Sequence, residues 1–209
     1  MSRSEDEIAS WFIDEFKLGI EGTDIKPGIL KCASQDTITD NNRKRLRAMA
    51  IAQKQTNLPL YVHSNHRDDL AIQQIEILLE IIDNPEKILM GHSALKLDVE
   101  YLKKLLSYGC YIVVDQGHCS GYTPQQIGNA LNQLCNSEYA DRILLSNDMC
   151  IYSDFASKGY TGLQLTAQQH TDNFAFIIKK VYEEFVAIGG SEENWDKMFN
   201  KNPLKALNI

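Results

Sequence analysis

The chain has 209 residues, with 21 Lys and Arg against 28 Asp and Glu and a net charge of −7. Its hydrophobic fraction of 44% is close to the ~45–50% of ordinary globular chains, which excludes wholesale disorder and allows a sizeable core. The acidic balance argues against coating nucleic acid or anionic lipid, and no apolar run approaches the ~18 residues of a helical membrane span.

The chain opens on MSRSEDEIASW, polar and acidic where a signal peptide would be basic and then apolar, so a cytoplasmic location is expected. A helix is predicted at about 4–19, followed by a strand in GILKC (28–32) and a helix over 41–55. LPLYVH (58–63) is the second strand, and the helical spacing of DLAIQQIEILLEII predicts a helix over 69–82. KILMGH (87–92) and CYIVVD (110–115) read as further strands, with a helix over 97–107 between them. Thr123-Pro124 signals the start of a helix over 124–135, and RILLSND (142–148) is the fifth strand. Two closing helices, 170–187 and 191–199, flank Gly189-Gly190, with Ser191 as N-cap of the second.

Near-continuous apolar strands alternating with amphipathic helices predict an α/β fold built from βα units around a parallel sheet. Either an open doubly wound sheet or part of a (β/α) barrel satisfies this pattern. No linker divides the chain, so a single domain over 1–209 is expected. The five cysteines (32, 110, 119, 135 and 150) form no C-x-x-C pair, which predicts reduced thiols rather than a disulfide framework.

Residues able to bind a metal stand at four of the predicted strand ends: Lys31, His63, His92 and Asp148. In a parallel sheet these ends share one rim, where active sites of α/β proteins lie. Imidazole and carboxylate are ordinary ligands for divalent transition metals. Lysine joins them only as a carbamate. Each residue also has an ordinary reading: a hydrogen-bonded loop histidine, a capping aspartate, or a rim lysine with its ammonium in water.

In EGTDIKPGILKCAS, LPLYVHS, ILMGHS, YLKKLLSYGCYIVVD, YADRILLSNDMC and KNPLKAL, the chain resembles the C-terminal part of the phosphotriesterase-like amidohydrolases. The resemblance implies a parallel (β/α) barrel of the TIM type, with about five of its eight βα units present. It implies a divalent metal centre, zinc first, with two ions in the family and one expected here, and a small-molecule ester (phosphotriester, lactone or related) as substrate. Lys31 matches the carboxylated lysine that bridges the metals, and His63 and His92 match ligands of the second metal. Asp148 matches the catalytic aspartate that binds the first metal and takes a proton from the bridging hydroxide. Gly91 matches a small residue without chemistry of its own.

Other polar residues carry weaker expectations. His66 reads as a solvated loop residue near the substrate, Asp115 and His118 as pocket lining, and His170 as a helix-packing or capping residue. The segment from Tyr152 to Tyr160 matches a substrate-covering loop. The family's first-strand H-x-H pair has no counterpart here. Three readings stay open, a fragmentary gene product, a piece of a longer protein with an N-terminal half, or a barrel completed by oligomerisation, with strands 28–32 and 142–146 expected as exposed apolar edges. Three function classes compete: a metal-dependent ester hydrolase, a noncatalytic protein retaining a partial metal site, and an α/β enzyme using Lys31 as a Schiff-base amine.

Overall fold

The computed structural model describes residues 3–34, 37–64, 66, 69–149 and 172–209. Five short apolar runs form strands: β1 (Leu30–Ala33), β2 (Leu60–His63), β3 (Ile88–Met90), β4 (Tyr111–Val114) and β5 (Ile143–Leu145). They make one parallel sheet in the order β1-β2-β3-β4-β5. β1 runs one residue past its predicted segment, to Ala33, and β2 to β5 are shorter than theirs, losing residues at one or both ends.

α1 (Glu5–Leu18) precedes β1, and between the strands lie α2 (Asp40–Thr56), α3 (Leu70–Leu79), α4 (Val99–Leu106) and α5 (Pro124–Cys135). Their starts follow from local chemistry. Ser4 and Glu7 form a capping box on α1, and Thr123 and Gln126 form one on α5, where Pro124 supplies a preset φ at a position needing no N–H donor. Ser191 caps the helix after Gly189-Gly190 as expected, its side-chain oxygen accepting the Asn194 N–H at 3.1 Å.

The closing region differs from expectation. A wide turn over Phe176–Val181 leads into α6 (Tyr182–Ala187), and α7 (Glu192–Asp196) runs through a second wide turn, Lys197–Lys201, into α8 (Asn202–Leu207). The second turn precedes Pro203, at the start of α8. A proline ring would crowd the carbonyl four residues back in a regular helix, and the widened turn relieves that conflict.

The two sheet faces are unlike. Leu30, Leu60, Val62, Ile88, Met90, Ile112, Val114, Ile143 and Leu145 join the helices in the main core. The opposite face carries a smaller cluster, Leu89, Tyr111, Val113 and Leu144, against Ala206, with Tyr61 and Leu207 at its margin. Sequential strand order with the crossover helices on one face is the arrangement of a barrel wall. A doubly wound sheet reverses its strand order and is covered by helices on both faces.

β1 and β5 are the sheet edges among the described residues. The apolar face expected to be exposed at β5 is instead covered by α8, which leaves Leu144 only 6% exposed, while β5 stays at the edge of the sheet. Beside β1, Ile25 and Ile29 do face solvent. No helix among the described residues is long and apolar enough to cross a membrane.

Candidate functional site

The inner face of the sheet is set by register. Lys31 lies opposite Tyr61, Tyr61 opposite Leu89, and Leu89 opposite Tyr111, while Ala33 lies opposite His63. Side chains alternate faces along a strand, so Lys31, Tyr61 and His63 point to the same side. Lys31 is the second residue of β1 rather than its end. Its Nζ sits 5.1 Å from the centre of the Tyr61 ring.

Of the four predicted ligands, only His63 ends its strand. His92 lies two residues past β3 and Asp148 three past β5. Both adopt left-handed backbone, φ 62 and 47 respectively. Such a conformation is uncommon outside glycine and marks loops whose shape the surroundings impose. The Gly91 N–H still bonds to the Val62 carbonyl at 2.8 Å, and the chain turns at His92 directly afterwards.

This turn brings two imidazoles face to edge, with His63 Nδ1 and His92 Nε2 2.7 Å apart. The other ring nitrogen, His92 Nδ1, lies 2.9 Å from Asp115 Oδ1 and 3.6 Å from Asp148 Oδ2. One proton assignment satisfies the network. His92 donates from Nδ1 to Asp115, and His63 donates from Nδ1 to the free Nε2 lone pair. Asp115 is 1% exposed, and its second oxygen accepts the Tyr61 hydroxyl at 2.8 Å.

Asp148 is half-exposed, and Gln116 Nε2 donates to its Oδ2 at 2.6 Å. Its loop is tied down on both sides. The Ser146 N–H bonds to the Val114 carbonyl and the Gln116 N–H to the Asn147 carbonyl. Asn147 donates to the Phe174 carbonyl and accepts from the Ile177 N–H.

Burial lowers the His63 pKa, with His92 and Lys31 adding to the effect, while Asp148 and Asp115 oppose it. The Tyr61 hydroxyl is pushed up by burial and by Asp115, so it remains a donor. Burial also lowers His118, whose buried Nδ1 has no hydrogen-bond partner.

His92, Asp115 and Asp148 offer ligand atoms within 4.8 Å of one another. Tetrahedral metal–ligand bonds of ~2.0–2.2 Å imply ligand–ligand distances of about 3.4 Å. The 3.6 Å from Asp148 Oδ2 to His92 is near that value but runs to Nδ1, the nitrogen that faces Asp115, whereas Nε2 is the nitrogen that faces His63. The imidazole and carboxylate donors themselves are chemically suited to zinc. Both Asp115 oxygens already hold partners, which makes it an orienting group for His92 rather than the first choice as ligand.

Several expectations need correction. His66 is no solvated loop residue: it is fully buried, with Nε2 2.6 Å from the Gly91 carbonyl and Nδ1 3.1 Å from the Tyr101 hydroxyl. It clamps the turn that presents His92, and burial lowers its pKa to about 4. Gly91 has a steric reason to be small, since an added Cβ would stand 2.2 Å from the Tyr61 hydroxyl oxygen. Asp115, expected as pocket lining, stands at the centre of the network between Tyr61 and His92. Its signal was available, because it follows the YIVV run as Asp and His follow the other runs. Tyr61 and Gln116 carried no comparable signal. His170 and the segment from Tyr152 to Tyr160 lie outside the described residues.

A profile of the phosphotriesterase family matches residues 1–207. An aryldialkylphosphatase from Saccharolobus solfataricus is 36% identical over 98% of this chain, which spans 65% of that protein. An N-acetyltaurine hydrolase from Bos taurus is 24% identical over 99% of this chain and 60% of its own length. Among solved structures, the phosphotriesterase from Mycobacterium tuberculosis superposes with a TM-score of 0.84 at 27% identity, covering 95% of this chain and 61% of that one. The five strands thus form part of a TIM-type barrel, and the chain spans less than two thirds of the length of these relatives.

Proposed function

Because the chain belongs to the phosphotriesterase family, we propose that it is a metal-dependent hydrolase of small-molecule ester bonds, with zinc as the metal. The observation that carries this reading is the convergence of His63 Nδ1 and His92 Nε2 at 2.7 Å, with the Asp148 carboxylate 3.6 Å from the His92 ring. Two nitrogens so close share one proton, which metal binding would displace. His63, His92, Asp148 and a carboxylated Lys31 would hold the metal, which would supply Lewis acidity and a water acidic enough to ionise near neutral pH.

The surrounding residues have separate tasks. Asp115 orients His92 through Nδ1, and Gln116 holds the Asp148 carboxylate in place. Asp148, half-exposed, is the proton acceptor at the mouth of the site. The relative named for N-acetyltaurine hydrolysis keeps an amide within the substrate classes to test. The free sides of β1 and β5 are where the rest of a barrel would pair, whether from a longer polypeptide or a partner chain. A cytoplasmic, reduced setting agrees with thiols that burial keeps protonated, Cys32 and Cys110 both being pushed up to about 12.

The test measures bound zinc by mass spectrometry with and without bicarbonate. Turnover is measured on a γ-lactone, an aryl phosphotriester and N-acetyltaurine, with Lys31→Ala and His92→Ala alongside. About one zinc per chain, bicarbonate-dependent and lost in both variants, is the expected result. Turnover should be slow, because the first-metal H-x-H pair is absent from this sequence. A chain that takes up no zinc, with both variants indistinguishable from wild type, would support the noncatalytic alternative.

A further inference from the structure

Tyr61 stands outside the roles described so far, yet its hydroxyl touches the site at its most buried point. It lies on β2 two residues before His63, hence on the same face, one level deeper in the sheet. To reach Asp115 at the end of β4, its side chain must cross the end of β3. It does so over Gly91, in space that any side chain there would occupy: an added Cβ would approach Tyr61 Oη to 2.2 Å and Cζ to 2.4 Å. Tyr61 and Gly91 are therefore a matched pair, with the missing side chain of one making room for the other.

The end of this crossing is a chain of three directed hydrogen bonds. Tyr61 Oη donates to Asp115 Oδ2 at 2.8 Å, His92 Nδ1 faces Asp115 Oδ1 at 2.9 Å, and His92 Nε2 faces His63 Nδ1 at 2.7 Å. A carboxylate with one partner can rotate, whereas one held at both oxygens cannot. The Tyr61 and His92 rings also meet edge to face, 6.1 Å apart.

We infer that Tyr61 is a positioning residue which, by fixing the Asp115 carboxylate, holds the His92 proton on Nδ1 and so leaves the Nε2 lone pair directed at His63 Nδ1. Without the hydroxyl, Asp115 Oδ2 is a buried acceptor without a partner and the carboxylate turns to find one. His92 then exchanges between tautomers, and the Nε2–H form has no lone pair to offer a metal. The inference rests on the metal reading for its consequence, but the tautomer itself is measurable without metal.

The experiment uses the full chain, labelled with 15N-histidine and stripped of metal, in long-range proton–nitrogen NMR in alkaline buffer. Wild type should show His92 with its proton on Nδ1. Tyr61→Phe, which keeps the ring, should shift the ratio about tenfold toward Nε2–H. Gly91→Ala, which retains the tyrosine but takes the space of its hydroxyl, should shift it in the same direction. On an Asp115→Asn background, Tyr61→Phe should change the ratio less than about twofold, because the path runs through the carboxylate.

A second arm titrates Co2+ by its visible absorption, where Tyr61→Phe should bind about tenfold more weakly than wild type. A His92 ratio unmoved by Tyr61→Phe would overturn the inference, as would an equal shift with and without Asp115. Wild type that shows the tautomer shift on mutation but binds no Co2+ would instead refute the metal reading and leave the role of Tyr61 standing.

Discussion

Replacing Gly91 by alanine tests how tightly the floor of the site is built. The added methyl would stand 2.2, 2.4 and 2.6 Å from Oη, Cζ and Cε1 of Tyr61. Carbon contacts are comfortable at ~3.5–4.0 Å, so the ring must move by more than ~1 Å. Overpacking of this kind costs about 1–3 kcal/mol. The displaced hydroxyl also abandons Asp115 Oδ2, and a stranded buried acceptor costs a further ~1–3 kcal/mol. Together these give roughly 2–6 kcal/mol, and at ~2–4 °C per kcal/mol for a chain of this size the midpoint falls by roughly 8–16 °C near the centre of that range. Urea denaturation of four proteins checks it: wild type, Gly91→Ala, Tyr61→Ala and the double variant. Once the ring is gone the methyl has nothing to strike, so Gly91→Ala should cost under ~0.5 kcal/mol in the Tyr61→Ala background. A single Gly91→Ala variant within ~0.5 kcal/mol of wild type would refute the argument, as would a full cost persisting without Tyr61.

Three further outcomes are expected. His66 is held neutral when folded, with a pKa lowered to about 4, while the unfolded chain protonates near ~6.5. Its contribution is complete above ~6.5 and falls by about 3 kcal/mol as the pH drops to ~4, since the unfolded state binds the proton first; His66→Gln should flatten that part of a urea-midpoint profile. Gln74 is fully buried on α3, and its Nε2 bonds to Ser34 Oγ at 2.7 Å and to the His63 carbonyl at 3.2 Å. Gln74→Met keeps the bulk but loses this clamp between the ends of β1 and β2, so it should lower unfolding free energy by about 1–3 kcal/mol. Thr123→Ala removes one half of the α5 capping box, and calorimetry should show a loss of about 1 kcal/mol, or ~2–4 °C.

Much of this molecule is local, and local features were legible in the residues. The α5 boundaries, Pro124–Cys135, follow from a capping threonine, a proline and a helical period, all contained in a dozen positions. The parallel sheet follows from the alternation of short apolar runs with amphipathic segments, and His63 could be placed because its strand and its apolar run end together. Candidate ligands could be named because His and Asp follow such runs repeatedly.

What the residues alone left open depends on contacts between segments distant in the chain. Barrel wall or doubly wound sheet was decided by which side the helices pack on and by strand order, and neither leaves a trace in periodicity. Lys31 read as a strand end, but β1 continues past it through Cys32 and Ala33, an extension fixed by pairing with β2. His66 read as solvated because nothing nearby announces that Tyr101 and the Gly91 carbonyl enclose it. The centrality of Asp115 required four strand ends to be brought together, with Tyr61 on one oxygen and His92 on the other. The left-handed turns at His92 and Asp148 are held by the packing around them, and it is these turns that aim the two side chains inward. Periodicity records what a residue shares with its neighbours two to four positions away. A site made from residues 61, 63, 92, 115 and 148 is created only when the sheet register and the turns align them.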